Sequence, residues 1–168
     1  MQIRKEKDSD IDNIWRINAE AFEAEAEANL VNQLRKSGIP YISLIAEDAG
    51  EIVGHILFTP VELNGNQAEL KIMGLAPMAV AVQHQKQGVG SQLVKEGLEH
   101  CRRQNYDAVV VLGHPKYYPK FGFMPSAKYG IKSEYDVPDE VFMVLELKKG
   151  TLEKKQGIIK YHAAFKDV

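Results

Sequence analysis

The feature that most constrains the fold is an apolar stretch that runs into a polar, glycine-bearing turn and then directly into a helix. The apolar stretch covers residues 78–82, and Gly88 and Gly90 lie where the helix opens. Glycine lacks a Cβ atom, so the chain can turn sharply and the first amide N–H groups of the helix can converge on one bound group. Those groups and the helix dipole favour an anion such as phosphate, and Lys86 adds a cation. The Gly-x-Gly pattern alone is more typical of an ordinary helix start.

Composition indicates one globular domain spanning residues 1–168, because 45% of the residues are hydrophobic and 26% are charged. The formal charge of -2 and the isoelectric point near 6.2 argue against a nucleic-acid partner, which normally requires a basic face. No apolar run approaches the length of a membrane span. Cys101 is the only cysteine, which excludes an intrachain disulfide and favours a reducing compartment. We therefore expect a cytoplasmic protein without a membrane partner.

The first forty residues predict a short strand and two helices. Residues 2–6 form the strand, and in the helix that follows Trp15 and Phe22 are expected as the large core anchors. A second helix carries an apolar stripe over residues 30–34 and ends before the Ser-Gly-Ile-Pro segment at 37–40.

The middle of the chain predicts strands and one helical crossover. Strands are expected at 41–46 and at 52–63, the second broken near Pro60. In the next extended stretch, Gly74 and Pro77 predict a bulge or break just before the glycine turn. An amphipathic helix over residues 89–101 then leads to a β-branched run at 108–112, which we interpret as a buried strand parallel to the one before the helix.

The C-terminal part is less patterned. A strand is expected at 141–147, and residues 150–168 resemble a peripheral tail in which 157–161 adds an edge strand.

Two motifs in order give the chain a specific resemblance. The sequence Val80-Ala81-Val82 precedes Gln85-x-x-Gly88-x-Gly90, and the later strand is followed by Tyr118-x-x-x-Gly122-Phe123. Together they strongly resemble the GNAT superfamily of N-acetyltransferases, and the phrases at 113–123 and 137–147 resemble a bacterial branch described as predicted N-acetyltransferases. The resemblance covers nearly the whole chain. It implies an α/β (α+β) fold with a mixed, mostly antiparallel central sheet flanked by helices, in which acetyl-CoA lies between two splayed central strands.

The resemblance also implies roles for individual residues. Tyr118 matches the general acid toward the departing CoA thiolate. The remaining matches concern the cofactor: backbone contacts to the pantetheine arm at Val80 and Val82, and a pyrophosphate loop that comprises Gln85, Lys86, Gln87, Gly88, Gly90 and Ser91. Many superfamily members carry an asparagine near the end of the strand before the tyrosine. Residues 111–115 contain none, so we assign no cofactor contact to that strand.

Acetyl transfer to an amine requires a neutral nitrogen, and a lysine-like amine has a reference pKa near 10.4. His114 is the candidate base, since histidine titrates near neutral pH and this one follows a central strand. Glu69 and Glu134 are weaker candidates, and a chain of water molecules stays open. The other histidines lack metal-ligand spacing, so no metal is expected.

These observations predict an acetyl-CoA-dependent N-acetyltransferase that acts on a primary amine of a small molecule or peptide. The alternative from a different class is a non-catalytic acetyl-CoA-binding sensor or interaction module. A nucleotide-binding α/β domain is disfavoured, because its glycine loop would follow the first strand. The acceptor and the oligomeric state cannot be read from the sequence, and a homodimer is left open.

Overall fold

The computed structural model describes residues 1–65 and 70–168. Across these residues the chain forms three α-helices and nine strands: β1 Gln2–Lys5, α1 Ile11–Phe22, α2 Ala26–Lys36, β2 Ile42–Asp48, β3 Glu51–Asn64, β4 Ile72–Val80, α3 Val89–Arg103, β5 Ala108–Leu112, β6 Met124–Pro125, β7 Ile131–Ser133, β8 Phe142–Glu146 and β9 Gly157–Lys160. None of the helices in this part of the chain is long and apolar enough to cross a membrane.

The chain groups into two compact units. The first unit comprises Met1–Thr59, Ala76–Gly97 and Ala163–Val168, and the second comprises Pro60–Leu75 and Leu98–His162. Strands β3 and β4 and helix α3 each begin in one unit and end in the other.

In the first unit, β1 pairs with β2 and β2 pairs with β3, both antiparallel. Helices α1 and α2 contribute apolar side chains to a shared core with these strands, as their spacing predicts. That core contains Ile14, Leu30, Val31, Leu34, Ile45 and Leu57.

The prediction that Trp15 and Phe22 anchor the core is wrong. The face of α1 that is buried carries Ile14, Ile17 and Asn18, so Trp15 lies at the margin of the apolar stripe and is only partly buried. Phe22 is the last residue of the helix and its side chain is 39% exposed.

In the second unit, β4 pairs parallel with β5 through Ile72–Leu75, as the helical crossover predicts. Strand β5 pairs antiparallel with β8, which also pairs with β6. Strand β9 pairs antiparallel with β3 and parallel with β7. The core of this unit contains Val61, Ile72, Ala108, Val110, Ile131, Phe142, Val144, Leu152 and Ile159.

The C-terminal residues are part of this core, which corrects two expectations. Strand β9 has a partner on each side, so it is not an edge strand. Leu152 and Ile159 are fully buried, so this segment is not a peripheral tail. Both side chains pack in the apolar core of the second unit, so the segment after β8 is part of that unit.

Neither of the breaks predicted in β3 and β4 interrupts its strand. Strand β3 runs through Pro60 without interruption; its pairing with β2 ends at Phe58 and its pairing with β9 begins at Glu62. Proline has no amide N–H to donate, so it suits this change of partners. In β4, Gly74 pairs regularly with Val110, and the register with β5 ends two residues before Pro77. Strand β4 is continuous through both residues, so the predicted bulge or break is wrong at Gly74, and near Pro77 the pairing with β5 ends without a break in the strand.

Of the seven strand pairings described above, five are antiparallel and two are parallel. The prediction of a mixed, mostly antiparallel sheet flanked by helices is confirmed.

Candidate active site

The glycine turn belongs to the first unit and begins earlier than the sequence indicated. Strand β4 ends at Val80, and a short 3-10 helix covers Val82–His84. The prediction that the strand continues through Val82 is therefore wrong by two residues. The Val82 side chain is 66% exposed.

Two glutamine side chains brace the turn by donating to its own backbone. Gln85 Nε2 donates to the Val80 carbonyl at 3.1 Å, and Gln87 Nε2 donates to the Gln83 carbonyl at 3.1 Å. Both bonds pair a backbone carbonyl of this segment with a side-chain amide of the motif. The turn is thus held from within by the side chains of the motif.

Two residues of the turn have left-handed backbone conformations. Lys86 has φ 62° and Gly88 has φ 88°, and nothing lies within 4 Å of the position that a Cβ atom on Gly88 would occupy. Helix α3 starts immediately afterwards, with the Gln92 N–H donating to the Gly88 carbonyl at 3.1 Å. Glycine is therefore required at 88 by the backbone angle, and the space beside it is open.

Gly90 and Ser91 lie in the first turn of α3. The first amides of any α-helix have no acceptor within the helix, and they carry the positive end of its dipole. Alternation of left- and right-handed residues also turns successive N–H groups toward one point, which forms an anion-binding concavity. With the exposed Lys86 side chain, this segment has the geometry and charge of a phosphate site.

The start of α3 is seated on strand β3. The Ala81 N–H donates to the Val53 carbonyl at 2.9 Å. A Cβ atom on Gly54 would lie 2.9 Å from both Leu93 Cδ1 and Val89 Cγ1, so only glycine allows the helix to pack this closely. An isolated glycine inside a strand pattern indicates a close backbone approach. The sequence therefore contained a signal at Gly54 that we did not use.

Tyr118 lies in the second unit, at the start of the 3-10 helix Tyr118–Phe121. Its ring packs edge-on against Tyr117, with centroids 5.0 Å apart, and against Phe123 at 5.7 Å. A Cβ atom on Gly113 would lie 2.2 Å from Tyr118 Cε2. Glycine at 113 therefore makes room for the tyrosine ring at the end of β5.

The Tyr118 ring is 8% exposed. Burial raises the pKa of its hydroxyl to about 12, because the anionic phenolate loses hydration in this environment. The phenol is therefore protonated at neutral pH and has a proton with which to donate a hydrogen bond.

His114 shapes the turn that leads to Tyr118. Its carbonyl accepts the N–H groups of Tyr117 at 3.1 Å and Tyr118 at 3.4 Å, and its Nδ1 atom accepts the Lys116 N–H at 3.1 Å. A neutral imidazole that accepts at Nδ1 carries its proton on Nε2. To accept a proton at Nδ1, His114 would have to give up the hydrogen bond from the Lys116 N–H. Its role as base therefore stays a prediction.

The weaker base candidates differ in what can be said of them. Glu134 Oε1 accepts the Tyr161 N–H at 2.8 Å, and Oε2 lies 3.8 Å from Lys160 Nζ, so this carboxylate ties β9 to the segment after β7. Glu69 lies outside the described residues. The Cys101 thiol is buried, and burial raises its pKa to about 12, which is typical of a structural cysteine.

A buried polar network in the first unit was not anticipated. His55 and Asn18 are fully buried, and Ser43 is nearly so. His55 Nε2 lies 2.9 Å from Ser43 Oγ, which in turn contacts Glu6 Oε1. Arg35 donates to both oxygens of Glu6, at 2.8 and 3.0 Å. Four elements of the first unit, α1, α2, β2 and β3, and the residue after β1 meet in this network, which we call the His55 network.

The direction of the hydrogen bonds in the His55 network follows from its ends. Asn18 Nδ2 donates to the Ile14 carbonyl at 2.9 Å and lies 3.1 Å from His55 Nδ1. His55 Nδ1 is therefore the acceptor, so Nε2–H donates to Ser43, whose hydroxyl donates to the Glu6 carboxylate. Burial lowers the pKa of His55 to about 4, although Glu6 opposes this shift.

Glu6 is ionised within the network. Burial acts to raise the pKa of its carboxyl, but hydrogen bonds from Arg35 and Ser43 outweigh burial and lower it below the usual range. A lone histidine in a strand gives no sign of such a network, because its partners come from residues 12 to 49 positions away.

The predicted site residues thus divide between the units. All eight predicted cofactor residues, from Val80 to Ser91, lie in the first unit, and Tyr118 and His114 lie in the second. Within the first unit the structure brings the cofactor residues together in one braced turn.

Comparison with known proteins identifies the family. Residues 2–126 match the acetyltransferase (GNAT) domain family. The chain is 36% identical over 166 residues to the uncharacterized N-acetyltransferase YhbS of Escherichia coli strain K12, with 98% of each protein covered.

Solved structures agree with this match. The crystal structure of the GNAT family N-acetyltransferase YhbS from Escherichia coli in complex with CoA superposes with a TM-score of 0.93 at 35% identity, covering 98% of this chain and 91% of that one. A GNAT family acetyltransferase from Brucella melitensis in complex with acetyl-CoA gives a TM-score of 0.81 at 33% identity, covering 98% and 97%. With the mixed sheet and the glycine turn before α3, these matches show that the chain belongs to the GNAT family of N-acetyltransferases.

Proposed function

We propose that this protein transfers the acetyl group of acetyl-CoA directly to a primary amine of a small-molecule or peptide acceptor. The observation that carries the proposal is the braced turn with left-handed Lys86 and Gly88 that opens helix α3. The relatives described above support it, because one was crystallised with CoA and another with acetyl-CoA.

In this proposal the turn holds the cofactor pyrophosphate. Backbone amides at 88–91 donate to phosphate oxygens, and Lys86 supplies a cation from an exposed side chain. The backbone at Val80 and Val82 runs beside the pantetheine arm. The bond from Gln85 to the Val80 carbonyl preorganises the turn, so less freedom is lost when the cofactor binds.

The chemical step begins with a neutral amine nitrogen that attacks the thioester carbonyl carbon. The C–S bond then breaks, and the thiolate departs with the electron pair. Tyr118 donates a hydrogen bond to the developing thiolate. A phenol with a pKa of about 12 is a weaker acid than a thiol with a reference pKa near 8.5, so Tyr118 stabilises the leaving group chiefly by hydrogen bonding.

The proton released by the amine passes to a base. His114 is the candidate on this chain, and a chain of water molecules is the alternative. The Nδ1 contact of His114 with the Lys116 N–H favours water, because the imidazole can then keep its turn-shaping bond.

We further propose a cytoplasmic location. The single buried Cys101 supports it, since disulfides are rare in proteins of a reducing compartment.

The first experiment measures CoA thiol release from acetyl-CoA in the presence of small amines, aminoglycosides, amino acids and peptides. Release that depends on one class of amine supports the proposal and names the acceptor. Binding of acetyl-CoA without release across the whole panel would instead indicate the non-catalytic sensor.

Tyr118→Phe tests the proposed donor. Loss of the hydroxyl should lower kcat by about 10²-fold, within the range for a positioned proton donor, and leave CoA affinity nearly unchanged. Tyr117→Phe is the matched control, because it removes the neighbouring phenol from the same aromatic cluster. Equal rates for the two variants would remove Tyr118 from the mechanism.

Gly88→Val tests the pyrophosphate loop. The added side chain enters the open space beside the turn and disfavours the left-handed backbone, so CoA affinity measured by calorimetry should fall at least tenfold. Gly38→Val is the matched control, since Gly38 also has a positive φ, at 84°, and open space around it but lies after α2. Unaltered affinity in Gly88→Val would overturn the loop assignment.

A further inference from the structure

The two faces of strand β3 carry different contacts at the point where the glycine turn is seated. Val53 binds the turn through its carbonyl, which accepts the Ala81 N–H. Gly54 faces the start of α3, where Val89 and Leu93 pack directly on the strand backbone. Because Gly54 has no Cβ atom, these two side chains lie directly against the strand, and their close packing would transmit a displacement of the strand to the helix start.

A second contact fixes the same helix on the same face. A Cβ atom on Gly97 would lie 2.2 Å from Phe58 Cε2, so α3 also approaches β3 closely two turns later. Gly54 and Phe58 are four residues apart in a strand and therefore point to one face. The first half of α3 is thus seated on β3 at two glycine contacts.

The opposite face of β3 is fixed by the His55 network. His55 follows Gly54, so its side chain points away from α3, and both ring nitrogens are within hydrogen-bond distance of partners on other elements, Ser43 on β2 and Asn18 on α1. The network continues to Glu6 and to Arg35 on α2. Residues 53–55 of β3 are therefore held between a polar network on one face and the seated helix on the other.

We propose that His55 is a positioning residue for cofactor binding, which it serves by holding β3 where the glycine turn and the start of α3 have their anion-binding geometry. This inference rests on the proposed assignment of that turn to the CoA pyrophosphate. His55 does not touch the cofactor and acts through Val53 and Gly54.

Removal of the imidazole takes one partner from Asn18 Nδ2, which keeps its bond to the Ile14 carbonyl, and one from Ser43 Oγ, which keeps its bond to Glu6. Buried hydrogen-bonding capacity that is left unpaired carries a free-energy cost, so the surrounding backbone shifts toward other partners. Asn18 Oδ1 already has no partner among the described residues, which leaves few alternatives nearby. The movement displaces β3 and with it the seat of the turn.

The test compares His55→Leu with His55→Gln. Leucine removes both polar contacts, whereas the Gln side-chain amide can still donate to Ser43. We expect CoA affinity measured by calorimetry to fall about tenfold in His55→Leu, within the range for coupling through a packed network, and to stay within about threefold of the wild type in His55→Gln.

Thr59→Val is the matched control. Thr59 lies on the same face of β3, is fully buried, and has no hydrogen-bond partner for its hydroxyl among the described residues. The control should bind CoA as the wild type does. Wild-type affinity in folded His55→Leu, or equal losses in His55→Leu and Thr59→Val, would overturn the positioning role.

If His55→Leu does not fold, Ser43→Ala decides the question, because it removes the acceptor of the Nε2–H group and changes less volume. It should weaken CoA binding and speed hydrogen exchange of the Ala81 amide. Retention of both wild-type values would contradict the proposal. Gly88→Val keeps the two proposals apart: if it weakens CoA binding while the His55 and Ser43 variants do not, the loop assignment stands and the positioning role fails.

Discussion

The interiors of the two units differ in how many polar side chains they bury. Of the six buried polar residues in the described part of the chain, five belong to the first unit: Asp10, Asn18, Ser43, His55 and Thr59. The second unit contributes Ser126, whose hydroxyl donates locally to the Ile131 carbonyl. Its core is otherwise built from aliphatic and aromatic side chains.

This difference has a thermodynamic consequence. An apolar core is stabilised by burial and packing, which do not depend on protonation. A buried histidine and an ion pair give the first unit a stability that depends on pH and on every partner being present. The following predictions test this contrast, from the largest effect to the smallest.

The largest effect is expected from Phe142→Ala in the core of the second unit. Phe142 is 2% exposed, and its removal leaves a cavity, so we expect a loss of about 4 kcal/mol in the free energy of unfolding. Urea unfolding at pH 7 and pH 5 should give the same loss. Met124→Ala, at a partly exposed position of β6, is the control and should cost far less. A loss that differs between the two pH values would break the contrast.

Arg35→Met removes one partner of the buried ion pair in the first unit. Arg35 and Glu6 side chains are 13% and 10% exposed, so the remaining carboxylate is left largely buried without its cation, and we expect a loss of about 3 kcal/mol. Arg102→Met breaks the exposed pair with Glu99 and should cost no more than about 0.5 kcal/mol. Equal losses in chemical denaturation would show that burial of the pair contributes nothing.

Acidification from pH 7 to pH 5 should destabilise the first unit through His55. Its pKa is about 4 when folded and near 6.5 when unfolded, so the unfolded state binds the proton first and stability falls as the pH drops through this window. The expected loss is about 2 kcal/mol. Glu6 and Arg35 face the same network, and the lowered pKa of Glu6 adds a loss in the same direction at lower pH. His55→Gln should abolish the change between pH 7 and pH 5; an unchanged pH profile in that variant would show that another group is responsible.

The smallest effect, with the opposite sign, is expected from Thr59→Val. The buried Thr59 hydroxyl has no partner among the described residues, so an isosteric methyl group should raise the free energy of unfolding by up to about 1 kcal/mol. A decrease in the free energy of unfolding, measured by urea denaturation, would indicate that the Thr59 hydroxyl forms a hydrogen bond in solution.

Local patterns predicted the parts of the fold in which neighbouring residues decide the outcome. The glycine turn, the amphipathic helix α3 and the parallel strand β5 follow from adjacent residues. The resemblance to the GNAT superfamily added the mixed sheet, which local patterns alone do not determine.

Features that depend on distant residues were missed. Strand β9 has partners nearly 100 residues away in β3, so its own short sequence suggested an edge. The burial of Phe22 was overestimated because helical periodicity does not say where the helix meets the sheet. The His55 network was missed because its five residues come together only through strand pairing and helix packing.

The place of β9 also bears on how the protein is made. This strand lies between β3 and β7, and the residues after it, Ala164 and Phe165, pack on the core of the first unit. During synthesis from the N-terminus, β3 and β7 must therefore wait for this partner until residues 157–160 have been translated. Exposed strand edges are templates for association with other chains. The interval between the synthesis of β3 and that of β9 is thus a period in which the nascent chain is open to aggregation.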